Sequence, residues 1–123
     1  MAWSLDARIP LTLLPPGGDL AAWLASGKPA ALLAEAPPEP LPPNAVAQVS
    51  FDPTGPSHAA SCSCCAGRSA AAAALDRLFQ ARVRGQCRWF DRVVAVVETE
   101  TARAEVEAAL REDAVTSARF RKA

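Results

Sequence analysis

The sequence predicts a small α/β domain: a mostly parallel sheet of three to four strands with flanking helices. Apolar runs of strand length alternate along the chain with segments of helical periodicity, the order that builds a parallel sheet. The strongest strand, Arg92–Glu98 (RVVAVVE), is a nearly unbroken β-branched run, as expected of a strand buried on both faces. The chain has 123 residues, 50% hydrophobic and 21% charged, enough for one core and too apolar for wholesale disorder. A single domain over 1–123 follows.

The elements can be justified in turn. Ile9–Leu14 (IPLTLL) is an apolar run stopped by Pro15-Pro16-Gly17-Gly18, a buried strand and a turn. Asp19 stands at the N-cap position of a short helix through Ala25, and Gly27 is placed to end it. Pro29–Ala34 (PAALLA) reads as a second buried strand. Residues 37–43 hold five prolines and form a stiff extended spacer. Val46–Phe51 alternates as a third strand, and 52–61 is a loop. Ser69 caps a helix to about Arg84, with Leu75, Leu78, Phe79 and Val83 on one face beside Ala71 and Ala72, and Gly85 closes it. After the Arg92 strand, Thr101 starts a helix with Ala102, Val106, Ala109 and Leu110 inward. Asp113 caps a last short helix through Phe120. Trp3 and Trp23 are expected in the core.

Lys plus Arg and Asp plus Glu each total 13, so the net charge is zero, which argues against a nucleic-acid binder that works by charge alone. The distribution is uneven: residues 1–60 carry two basic and five acidic side chains, residues 61–123 eleven and eight. The longest apolar stretches, about six residues, are too short to span a bilayer. The opening MAWSLDAR lacks a basic region followed by an apolar stretch, so no secretory signal is visible and a cytoplasmic location is expected. Arg82, Arg84, Arg88 and Arg92 with Trp89 and Phe90 make a basic aromatic patch around Gly85. Cations suit a helix C-terminus, and the aromatics can plug a sheet edge, so a structural role is the simpler reading. One histidine leaves no Ser-His-Asp set to place.

The most informative residues are Cys62-Ser63-Cys64-Cys65. Three of the four cysteines fall within four positions, just ahead of the Ser69 cap. A helix N-terminus and the nearby Arg68 favour thiolate over thiol, and clustered thiolates bind Zn²⁺ or another borderline or soft ion. A tetrahedral site needs a fourth donor: His58 lies on the same loop, and Glu35 or Glu39 offers an oxygen. Cys87 follows the helix that Cys65 precedes, roughly 20 Å away by the helix rise, and is excluded. Cys62 and Cys65 also have the Cys-x-x-Cys spacing of thiol–disulfide enzymes. Against that stand a third thiol, Cys64, which invites scrambling, and the absence of proline beyond Pro56. Buried inert cysteines are the plain alternative.

The order of strand, short helix and strand, then Cys62, Cys64, Cys65 and Arg68, a long helix, Phe90-Asp91-Arg92-Val93-Val94 and Glu98-Thr99, resembles the CobW-type GTPases, metallochaperones related to nickel insertion factors. Leu110–Arg121 resembles the helical segment that follows in that family. Ile9–Leu14 and Ala31–Glu35 resemble its first two strands, the second ending in a glutamate near the metal-binding region. The Pro-rich spacer has no counterpart, and Ser61 stands where the family usually has Gly. The resemblance implies a P-loop-like topology and a metal site of Cys62, Cys64 and Cys65 with His58 or Glu35. It does not carry over the GTPase activity: the phosphate-loop position reads Pro15-Pro16-Gly17-Gly18-Asp19-Leu20, without the lysine, the Mg²⁺-binding hydroxyl or the backbone donors phosphates need. The expectation is therefore a non-catalytic zinc-binding protein without nucleotide, acting with a protein acceptor or as a homo-oligomer. A thiol redox protein or a structural partner of a full-length GTPase is the alternative.

Overall fold

The computed structural model describes residues 7–15, 18–25, 27–35, 44–52 and 69–123. The element order is β1 (Ile9–Leu14), α1 (Leu20–Ala25), β2 (Ala30–Ala34), β3 (Ala45–Ser50), α2 (Ala70–Val83), β4 (Arg92–Val96), α3 (Glu100–Glu112), α4 (Ala114–Arg119) and β5 (Phe120–Lys122). The five strands form one sheet in the order β3-β2-β4-β1-β5, and every pairing is parallel. The α/β class and the parallel sheet follow the sequence reading, with one strand more than it predicts.

The pleat sends alternate side chains to two clusters. Ile9, Leu11, Ala31, Leu33, Val93, Ala95 and Val97 meet Ala71, Ala74, Leu75 and Leu78 of α2 and Ala102 and Val106 of α3. On the other face Leu14, Ala30, Leu32, Ala45 and Val94 meet Leu24, Leu20 and Trp23 of α1. Every residue of β2 and the middle of β4 are buried, which is why both read as near-continuous apolar runs. The chain moves from β1 to β2 in one direction along the sheet, and from β3 to β4 and β4 to β5 in the other. Its helices switch faces accordingly, as one hand of crossover requires.

The helix caps are those the sequence points to, with one shift. Asp19 Oδ1 accepts from Ala22 N–H at 3.0 Å, Ser69 Oγ from Ala72 N–H at 3.2 Å and Asp113 Oδ1 from Thr116 N–H at 2.9 Å. The third helix, α3, is capped by Thr99 and does not start at Thr101: Thr99 Oγ1 accepts from Ala102 N–H at 3.1 Å. Gly85 ends α2 with φ 69°, the left-handed geometry glycine takes most easily. Gly27 is needed for another reason, since an added Cβ would stand 2.9 Å from the Arg92 guanidinium. Phe120 is not the end of α4: it begins β5, paired with Ile9, and its ring meets Phe79 edge-on at 6.2 Å. Val83, predicted inward at the last turn of α2, is 53% exposed. Trp23 is half-buried beneath the Arg92 guanidinium, and Trp3 and the 37–43 spacer lie outside the described residues.

Candidate functional site

In a parallel sheet the carboxyl ends of all strands share one edge, where the following helices present their N-termini. Here that edge collects Asp19 after β1, Glu35 after β2, Asp52 after β3, and Glu98 and Glu100 after β4. Two cations sit on neighbouring helical turns, each engaged: Arg77 donates to Ser50 O at 3.3 Å, and Arg103 pairs with Glu107 at 3.1 Å. The opposite edge collects Arg8, Lys28, Arg82, Arg84, Arg88, Arg92, Arg111 and Arg121 around strand starts and helix C-termini. Asp91, Glu112 and Asp113 share that second edge, so cations outnumber acids there without excluding them, in the sense helix dipoles favour.

Strand order locates the crevice on the acidic edge. The chain leaves β2 outward to β3 and leaves β4 the other way toward β5. Their carboxyl ends therefore flank the switch point where open α/β sheets bind ligands. Glu35 bridges that point. Its Oε1 accepts from Glu98 N–H at 2.7 Å and Thr99 N–H at 3.1 Å, and its Oε2 from the Thr99 hydroxyl at 2.9 Å. Partial burial opposes ionisation of Glu35, but these bonds, from Glu98 N–H, the Thr99 hydroxyl and Thr99 N–H, outweigh it. The carboxyl is held below its ordinary value despite the repulsion of Asp52.

The start of α3 is therefore an anion nest filled by the chain's own carboxylate, and the first turn of α1 is filled likewise by Asp19. With four lone-pair positions on a carboxylate and three in use, Glu35 retains one for a further donor or a cation.

Glu105, on α3 beside the start of α2, has the opposite character. Burial pushes its carboxyl up, partly offset by the hydrogen bond from Ala70 N–H, and its Oε2 is enclosed with no hydrogen-bond partner among the described residues. Nothing in the sequence marks Glu105 beyond its place in a helix with charged residues on several faces.

Of the predicted ligands only Glu35 is described. His58, Cys62, Cys64, Cys65, Arg68 and Glu39 lie outside the described residues. The segment that carries His58 and the cysteines leaves the described chain after Asp52 and rejoins it at Ser69, both on the acidic edge. Three residues of chain lie between Cys65 and the Ser69 cap, a reach of at most about 14 Å. Among the described residues no group of three His, Cys, Asp or Glu side chains is placed to hold a metal ion. Cys87 follows the far end of α2, as its exclusion requires. Burial raises its thiol pKa, with Arg82 acting the other way.

The basic aromatic patch expected around Gly85 divides. Arg82 lies 3.6 Å from the Trp89 ring centre and its Nε donates to Phe90 O at 2.9 Å. Phe90 is buried, whereas Trp89 is 58% exposed, tethered through its Nε1–H to Asp91 Oδ1 at 3.1 Å. Arg92 belongs to the other face of the sheet. It donates from Nε to Lys28 O at 2.7 Å and from Nη2 to Leu24 O at 3.0 Å, and its guanidinium lies 4.0 Å from the Trp23 ring centre.

No family model, curated protein or solved structure matches the chain. Among the described residues no helix is long and apolar enough to cross a membrane.

Proposed function

We propose that the chain is a non-catalytic transition-metal-binding protein, most simply for zinc, similar in its cysteine-bearing half to the CobW-type metallochaperones. The observation that carries this reading is the chemistry of the edge where the cysteine segment is anchored. Glu35, Asp52, Glu98 and Glu100 gather there, and the helix N-termini that would receive phosphates are taken by Asp19 and Glu35. Such an edge attracts a cation and repels a nucleotide. Thiolates of Cys62, Cys64 and Cys65 would supply the soft donors, and His58, or the remaining lone pair of Glu35, the fourth. Arg68 and the α2 N-terminus would lower the thiol pKa values. The ion would be handed to an acceptor protein or would hold the small fold, as monomer or homo-oligomer, in the cytoplasm.

Thermal unfolding with and without Zn²⁺ tests this. The melting temperature rises with added Zn²⁺ in the wild type, and Cys64→Ser removes most of the rise. No response to Zn²⁺, or a reversible Cys62–Cys65 disulfide seen by alkylation mass in protein that carries no metal, would overturn it.

A further inference from the structure

The two outer strands of the sheet are built differently. β5 is three residues long and carries Arg121 and Lys122, the short, charged form that discourages further pairing. β3, on the other side, is six residues long, and no charged side chain or proline falls between Asn44 and Phe51. Its register shift against β2 lies at the start, between Ala30 and Ala31, and Ala47–Ser50 pairs regularly beyond it.

The hydrogen bonds fix which main-chain groups β3 leaves over. Phe51 N–H donates to Ala34 O at 3.0 Å, and Val49 and Ala47 share its phase, so these residues turn their main chain toward β2. The N–H and C=O of Gln48 and Ser50, and the C=O of Val46, therefore turn outward. Among the described residues only Arg77 reaches them. It donates to Ser50 O at 3.3 Å and leaves that oxygen a second lone pair.

A row of such groups selects a strand as its partner, and this row is its own complement. In an antiparallel pair about a two-fold axis at Gln48, Gln48 N–H meets Gln48 O of the second copy and the reverse. Ser50 N–H then meets Val46 O of the second copy. The same register sets Ala47 opposite Val49 of the second copy, two half-buried apolar side chains on the α2 face of the sheet. The strand brings no like charges opposite one another, and the zero net charge of the chain adds no repulsion between copies.

We propose that β3 is the interface of a homodimer, in which two copies of the chain join antiparallel along this strand into one continuous sheet. The interface is separate from the acidic edge and does not rest on metal binding.

Sedimentation equilibrium of the full chain, in EDTA and a thiol reductant, tests it. The wild type should reach about twice the 12.9 kDa of one chain. Gln48→Lys, at an exposed side chain, sets two cations face to face across the axis. It should weaken the dimer at least about tenfold while thermal unfolding stays cooperative. Trp89→Ser, at the most exposed large hydrophobic among the described residues, should leave the dimer unchanged. In hydrogen exchange the Ser50 amide should be slower in the wild type than in Gln48→Lys. A monomer at millimolar chain concentration, growth without limit beyond the dimer, a dimer lost in Trp89→Ser but kept in Gln48→Lys, or equal exchange at Ser50 would overturn it.

Discussion

The two edges of the sheet solve the same problem with opposite charges. At the amino edge helices end in unpaired carbonyls, and the chain answers with cations and amides. Arg92 serves Leu24 O and Lys28 O, and Asn44 serves Leu24 O and Gly27 O, while Arg82 at the end of α2 serves Phe90 O in the segment before β4. At the carboxyl edge helices begin with unpaired N–H groups, and acids and hydroxyls accept from them: Asp19 at α1, Ser69 at α2, and Thr99 with Glu35 at α3. The helix termini thus recruit complementary charge on each edge. Each edge thereby satisfies backbone groups that the helices leave unpaired.

The largest test of this contrast is on the amino edge. Arg92→Ala takes the donor from Lys28 O, leaves Leu24 O to Asn44 alone and uncovers Trp23, and is expected to cost about 2 kcal/mol in urea unfolding. Gly27→Ala, which forces the same guanidinium to move, is expected to cost about 1 kcal/mol. If both are neutral, the amino-edge cations are surface decoration.

On the carboxyl edge Glu35→Gln removes the charge from a clamp that is largely in solvent, so a loss of about 1 kcal/mol at pH 7 is expected after allowing for screening. Because the folded carboxyl is held below its ordinary value, its stabilisation is complete above about pH 4.3 and is lost as pH falls through the folded value. The difference between wild type and Glu35→Gln should therefore shrink in acid. A difference that stays constant with pH would show that the charge of the clamp contributes nothing.

Glu105 should titrate the other way, with the smallest effect. Its carboxyl is raised, so the folded state binds the proton more tightly, and stability falls as pH rises from the ordinary value through the raised one. Glu105→Gln keeps an acceptor for Ala70 N–H and is expected to stabilise at pH 7 by about 0.5 kcal/mol, with no gain in acid. Destabilisation at pH 7 would mean that the enclosed Oε2 meets a donor or a cation.

Much of this fold was legible because its signals are local. β1, β2 and β4 are apolar runs bounded by turn residues, and Asp19, Ser69 and Asp113 are caps next to the helices they start. What escaped depends on pairing across the chain. Phe120–Lys122 is three residues with two charges, and it is a strand only because β1 offers an edge to it. Thr99 outcompetes Thr101 as a cap where Glu35, 64 positions away, fixes its backbone N–H and hydroxyl. Arg92 looks like part of an arginine cluster in sequence, yet the alternation of β4 turns it to the opposite face, toward the α1 end. Glu35 was visible as an acid ending a strand; its three bonds across the crevice needed the strand order β2-β4, which no local pattern encodes.

The metal content of protein purified without chelator, set against that of its Cys62→Ser/Cys64→Ser/Cys65→Ser variant, tests the central reading most directly. About one zinc or similar ion per chain or per dimer in the wild type, and none in the variant, is the predicted result. Wild-type protein free of metal, with a melting temperature indifferent to added Zn²⁺, would contradict it.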